Sequence, residues 1–168
     1  MKKPDISLLN SLMTQERERY GGTLPDLVAI AWRGYLMALV GEVIDHLDYD
    51  QLRHHFPEIQ DDPVSYIVCG KHYLMDEQEL NATNGSSEFV DETDMEALRR
   101  EIKSDSRHLG GTLPTRFAVA WHATLLAHQQ WQLLSKDDYD SLVLLLPEIE
   151  NNPVASIKTA MMNAYGVQ

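Results

Sequence analysis

Seven histidines and 26 carboxylates are the side chains through which this sequence could do acid/base or metal chemistry, so their spacing has to be tested first. The densest polar group is His54-His55 beside Asp50 and Arg53, and Glu42 stands four residues before His46, the separation of one helical turn. Glu42, His46, Asp50, His54 and His55 are therefore the candidates for an acid/base or metal site. The larger patterns that such chemistry uses are missing. There is no Glu-x-x-His pair of the kind that builds a di-iron bundle, and no His-Glu-x-x-His of a zinc protease. No Gly-x-Ser-x-Gly elbow occurs, and Cys69, the single cysteine, has no base near it in sequence. The sequence assigns no catalytic residue, no metal and no cofactor.

The elements that would position these residues come from an internal repeat. Gly21-Gly22-Thr23-Leu24-Pro25 recurs as Gly110-Gly111-Thr112-Leu113-Pro114, and Ala29, Ala31, Trp32, Leu36 and Ala38 meet Ala118, Ala120, Trp121, Leu125 and Ala127 at the same offset. After one inserted residue, Asp48-Tyr49-Asp50 meets Asp138-Tyr139-Asp140, Pro57-Glu58-Ile59 meets Pro147-Glu148-Ile149, and Pro63-Val64 meets Pro153-Val154. From residue 21 to residue 67, 20 of 47 aligned positions are identical, far above what shared composition produces. At the first offset Glu42 and His46 face Trp131 and Ser135, which excludes a symmetric two-copy site.

Each copy reads as four helices. The first starts at an N-cap Asp5 or Asp94 and repeats apolar residues at helical spacing, Ile6, Leu9 and Met13 against Met95, Leu98 and Ile102. The glycine pair ends it by supplying a left-handed position, Thr23 or Thr112 is placed to cap the next helix, and Pro25 or Pro114 falls in that helix's first turn. The second helix, near 25–46 and 114–134, is the most apolar and holds Trp32 and Trp121 as core residues. Ser135 with Asp138 opens the third, which stops before Pro147, and Asp62-Pro63 and Asn152-Pro153 open the fourth. The expectation is an all-α tandem duplication of a four-helix unit, about eight helices, with copies over 1–71 and 94–168 and an acidic connecting segment over 72–93.

The net charge of −12 is unevenly placed. Residues 1–71 carry 7 basic and 11 acidic side chains, residues 94–168 carry 7 and 9, and residues 72–93 carry six acidic and no basic ones. No run of Lys and Arg exceeds two neighbours, which argues against nucleic acid as a partner. The apolar stretch Leu24 to Leu47 is broken by Asp26, Arg33, Glu42, Asp45 and His46, so no membrane span is expected. Met1-Lys2-Lys3 is followed at once by Pro4-Asp5 and reads as no export signal; with one cysteine, the expected location is the cytoplasm.

Where two copies differ, the differences report what each one faces. Arg53-His54-His55-Phe56 corresponds to Val143-Leu144-Leu145-Leu146, and Leu39, Val40 and Val43 correspond to His128, Gln129 and Gln132. Each copy thus has an apolar face the other lacks, to be covered by the other copy, by a second chain in a homodimer, or by a partner. The sequence reading is a non-enzymatic, acidic protein-interaction module, an inhibitor, immunity-type or regulatory factor that binds a basic protein. Its interaction residues are Asp76, Glu77, Glu79, Glu88, Asp91 and Glu92 with Val143, Leu144 and Leu145. The alternative is an enzyme or small-ligand or metal binder with its site between the copies, built from the candidates above.

Overall fold

The computed structural model describes residues 5–59, 62–65, 67, 94–149 and 152–167. Among them every regular element is a helix apart from an isolated bridge between Val40 and Ile44. The first half contains α1 (Ile6–Arg19), α2 (Asp26–Leu39) and α3 (His46–Leu52), a 3-10 turn at Arg53–His55, and a fourth helix, α4, seen at residues 63–65 and 67. The second contains α5 (Asp94–His108), α6 (Thr115–Gln130), α7 (Lys136–Val143) and α8 (Val154–Tyr165). No helix among the described residues is long and apolar enough to cross a membrane.

The glycine pairs build the same joint twice. Gly21 and Gly22 have φ of 83° and 107°, Gly110 and Gly111 of 98° and 97°, a region that side chains with a Cβ avoid. Gly22 N–H reaches the Arg17 carbonyl and Gly111 N–H the Ser106 carbonyl, both at 2.7 Å, while Gly21 and Gly110 donate to Glu18 and Arg107. That paired arrangement is the Schellman ending, which satisfies carbonyls the helix itself leaves over. Two details differ from expectation. Neither Thr23 nor Thr112 caps the next helix; Pro25 and Pro114 occupy the N-cap position with no side-chain bond there. Asp5 does cap α1, through Ser7 N–H at 2.9 Å, whereas Asp94 is the first residue of α5 rather than the one before it.

The second helix is shorter than its apolar pattern suggests. α2 ends at Leu39 because Val40 turns extended, with ψ of 127°, and Gly41 takes φ of 91°. The apolar residues continue through Val43 and Ile44, but as a turn whose N–H groups at residues 42–44 all return to the Leu39 carbonyl. α6 runs to Gln130 and breaks at Gln132, φ 63°. The extra residue of the second half is accommodated here, so that Asp45 and Ser135 fall at equivalent N-caps and His46 lies opposite Lys136, not Ser135. Asp62 and Asn152 cap the fourth helix of each half by accepting Val64 and Val154 N–H at 3.0 Å.

The core is continuous across both halves, and its most extensive helix contact is α2 against α6. Small residues at three- and four-residue spacing, Ala31, Gly34 and Ala38 against Ala120, Ala123 and Ala127, allow this approach. A Cβ on Gly34 would stand 3.1 Å from the Ala120 carbonyl oxygen and 3.4 Å from Ala123 Cβ, so a larger residue requires the facing helix to give way by a few tenths of an ångström. α8 packs on both α2 and α6. It lies antiparallel to α1, since Tyr165 Oη donates to the Asp5 carbonyl at one end and Arg19 reaches Ser156 Oγ at the other.

Candidate interaction surfaces and the interior behind them

The interior polar groups follow one plan in both halves. Trp32 and Trp121 are fully buried, and each indole N–H needs an acceptor there. Trp32 donates to Glu16 at 3.4 Å and Trp121 to Asp105 at 2.8 Å, both buried carboxylates at the same register. Arg19 grips Glu16 at 2.8 Å; His108, at the equivalent position, bonds the Ser104 carbonyl at 2.7 Å instead. Burial raises the Asp105 carboxyl above its ordinary value, against the opposing pulls of the Trp121 hydrogen bond and His108.

A second tie joins the second, third and fourth helices of each half. Arg33 donates to Tyr49 Oη at 2.9 Å and to Ser65 Oγ at 3.3 Å, and it forms an ion pair with buried Asp62. In the second half His122 meets Tyr139 Oη at 2.9 Å and Asn152 Nδ2 at 2.8 Å. Asn152 already accepts Val154 N–H through its oxygen, so its amide nitrogen donates to His122 Nδ1. His122 is then the neutral tautomer with its proton on Nε2, facing Tyr139. Burial, followed by Lys158, lowers the His122 pKa, and burial, followed by Asp140, pushes Tyr139 up to about 12. The charged pair of one half is a neutral pair in the other.

The seam between the halves holds a third network. Trp131 Nε1 donates to Tyr35 Oη at 3.0 Å, Tyr35 donates to Gln130 Oε1 at 2.6 Å, and Gln130 Nε2 donates to the Lys158 carbonyl at 3.3 Å. Burial raises the Tyr35 pKa well above the usual tyrosine value, so the phenol stays a donor. With its small residues in contact and its polar atoms engaged, this seam is a packed interface.

The acid/base candidates do not assemble. Glu42 lies in the exposed turn after α2, outside any helix, so the one-turn spacing to His46 is not realised. His46, Asp50 and His54 are exposed, Asp50 with Arg53 at 3.6 Å. His55, unlike its neighbour His54, is buried. It donates from Nε2 to Asn10 Oδ1 at 2.6 Å and accepts from Arg17 at Nδ1, 3.3 Å away, tying the 3-10 turn to α1. Burial, then the nearby His54 and Arg17, lowers its pKa to about 4. Among the described residues no group of three or more His, Cys, Asp or Glu side chains could hold a metal ion.

Of the expected interaction residues, Asp76, Glu77, Glu79, Glu88, Asp91 and Glu92 lie outside the described residues, as does Cys69. Leu144 is 84% exposed, while Val143 and Leu145 pack partly against the core. A further surface escapes a search for neighbouring cations. Arg99, Arg100, Lys103 and Arg107, with Glu96, line a shallow depression of about 250 Å³ on α5. Helical spacing of cations, rather than adjacency, was the signal for it. Comparison with protein-family models, curated proteins and solved structures finds no match.

Proposed function

We propose that the chain is a tandem duplication of a four-helix unit that works as a cytoplasmic protein-interaction module, an inhibitor, immunity-type or regulatory factor. In this reading its acidic connecting segment, residues 72–93, engages a basic protein. The duplication reading is supported by the repeated Schellman joint and by Trp–carboxylate bonds at one register. The observation that carries the functional reading is the segregation of charge: six acidic and no basic side chains lie in residues 72–93, half of the net −12. Concentrated charge of one sign speeds encounter with a surface of the other. Leu144 supplies an apolar contact on a different element. The rival site between the copies draws no support from the placement of its residues, because four of its five candidates are exposed and His55 serves the α1 contact.

The test is affinity capture from the native cell with the full chain and with a variant carrying amides at Asp76, Glu77, Glu79, Glu88, Asp91 and Glu92. The reading expects a basic protein that is released by salt and is not retained by the variant, whose melting temperature stays unchanged. Equal capture by both chains would contradict it.

A further inference from the structure

The 3-10 turn at Arg53–His55 is fastened to α1 by a histidine whose two ring nitrogens have opposite tasks. His55 is buried, its Nε2 donates to Asn10 Oδ1 at 2.6 Å, and its Nδ1 lies 3.3 Å from Arg17 Nη1. A guanidinium only donates, so Nδ1 keeps this contact only while it carries no proton. Protonation sets one N–H against another and a second positive charge against the first, where little water can screen them. The charged groups that act on His55 are His54, stacked at 4.1 Å in the same turn, and Arg17 of α1, and both oppose a further positive charge. Acids on the surrounding elements are engaged elsewhere: Asp50 of α3 with Arg53 at 3.6 Å, Asp48 in the capping box with Asp45, and Glu16 of α1 with Arg19 and Trp32. Glu18 and Glu58 are exposed. The second half shows that the fold does not need this arrangement. There Leu145 packs partly against the core in place of His55, and Arg99 and Ser106 stand where α1 has Asn10 and Arg17. Ser106 Oγ donates to the Gly111 carbonyl at 2.9 Å, as Arg17 Nε does to the Gly22 carbonyl at 3.2 Å, so the joint is served without a guanidinium. What the arginine adds is its other end, on His55.

We propose that His55 and Arg17 form an acid-released latch: a proton on Nδ1 frees the 3-10 turn from α1 and loosens the first half, while the second half, with Leu145 at this point, stays closed. In the closed chain His55 resists that proton down to about pH 4, because burial, then His54 and Arg17, disfavour its cation; an imidazole in water takes one near pH 6.5. The opening equilibrium of the turn therefore rises as the pH falls through this window, by up to roughly tenfold per pH unit, and levels off below it. Because the same guanidinium holds the Gly22 carbonyl, its displacement also reaches the end of α1. The latch uses none of residues 72–93 and stands apart from the role proposed for them.

The experiment is NMR of the full chain from pH 7 to pH 4, following the His55 imidazole and the amide exchange of Phe56 and Leu146, each relative to an unstructured peptide at the same pH. The two amides are equivalent reporters, since Phe56 donates to the Arg53 carbonyl at 3.1 Å and Leu146 to the Val143 carbonyl at 3.0 Å. Phe56 is expected to lose protection as the pH falls while Leu146 keeps its own. His55→Leu should hold the Phe56 protection level across the range. Arg17→Ser, which copies Ser106, should move the His55 titration to higher pH and shrink the loss at Phe56; should His55→Leu fail to fold, this variant decides alone. Steady Phe56 protection in the unaltered chain overturns the proposal, and so does loss at Phe56 and Leu146 together, which would be unfolding of the whole molecule. An acid loss that persists unchanged in His55→Leu overturns it by assigning the effect to another group. An unchanged His55 titration in Arg17→Ser does the same by removing the guanidinium from the latch.

Discussion

In the first half of the molecule Arg19 and Arg33 each pair with a carboxylate, and in the second half histidine stands at both positions but takes over only the second tie. Arg19 holds Glu16 beneath Trp32, whereas His108 bonds the Ser104 carbonyl at 2.7 Å and leaves Asp105 to Trp121. Arg33 is paired with Asp62, where His122 takes a neutral bond from Asn152. The tryptophan, the tyrosine and the capping oxygen stay in place while the charge is exchanged. What the architecture demands at these points is a satisfied hydrogen bond, since an unpaired buried polar group is costly whatever its charge. Charge is the part that can vary, provided both partners change together.

The largest effect should come from breaking the charged version of the tie. Arg33→Ala leaves Asp62 buried without its cation, a change worth about 3–5 kcal/mol. Arg33→His with Asp62→Asn, which copies the second half into the first, should recover most of that loss. Urea denaturation of the two single variants and the double one measures the coupling, and additive losses would mean that the two sites are not equivalent. Next is the seam: Gly34→Val forces a side chain against the Ala120 carbonyl, at a cost of about 1–3 kcal/mol. Ala123→Gly, which only removes a methyl, should cost less, and the two melting temperatures check the order.

Smaller again is the contrast between the tryptophans. Trp121→Phe deprives Asp105 of its 2.8 Å donor, whereas after Trp32→Phe Glu16 keeps Arg19 at 2.8 Å. The second-half variant should therefore be the less stable by about 1 kcal/mol. The gentlest probe is pH. His55, with its pKa down at about 4, and His122, lowered by burial, are neutral in the folded chain but take protons near pH 6.5 when unfolded. The His55 contribution is complete above that pH and is lost as the pH falls toward 4, and the His122 contribution is lost in the same direction. His55→Leu, which installs the residue found at the equivalent Leu145, should flatten part of this slope in melting curves recorded from pH 7 to pH 4.

How much of this was legible in the sequence depended on range. The glycine joints, the Asp5 cap and the Asp62 and Asn152 caps are local chemistry, and they were read from short motifs. The end of α2 was not, because Val43 and Ile44 continue the apolar pattern through a turn that only Gly41 punctuates. The Trp32–Glu16 bond spans 16 residues and two helices, so neither partner announces the other, although both carboxylates recur at one offset from the tryptophans. The burial of His55 is hidden by its polar neighbours Arg53 and His54, and the apolar Leu145 at its register is the sequence sign that this position faces inward. The basic side chains of α5 escape a search for cation runs because only Arg99 and Arg100 are adjacent, while Lys103 and Arg107 follow at helical spacing.

The two halves, tied differently inside, are joined through α2 and α6 into one continuous core. Incorporation of 5-fluorotryptophan places a reporter at Trp32 in the first half, Trp121 in the second and Trp131 at the seam, and fluorine NMR follows each through urea unfolding. A shared seam predicts that all three native signals vanish with one midpoint and one slope. Separate midpoints for Trp32 and Trp121 would show two independently folding units and contradict the account.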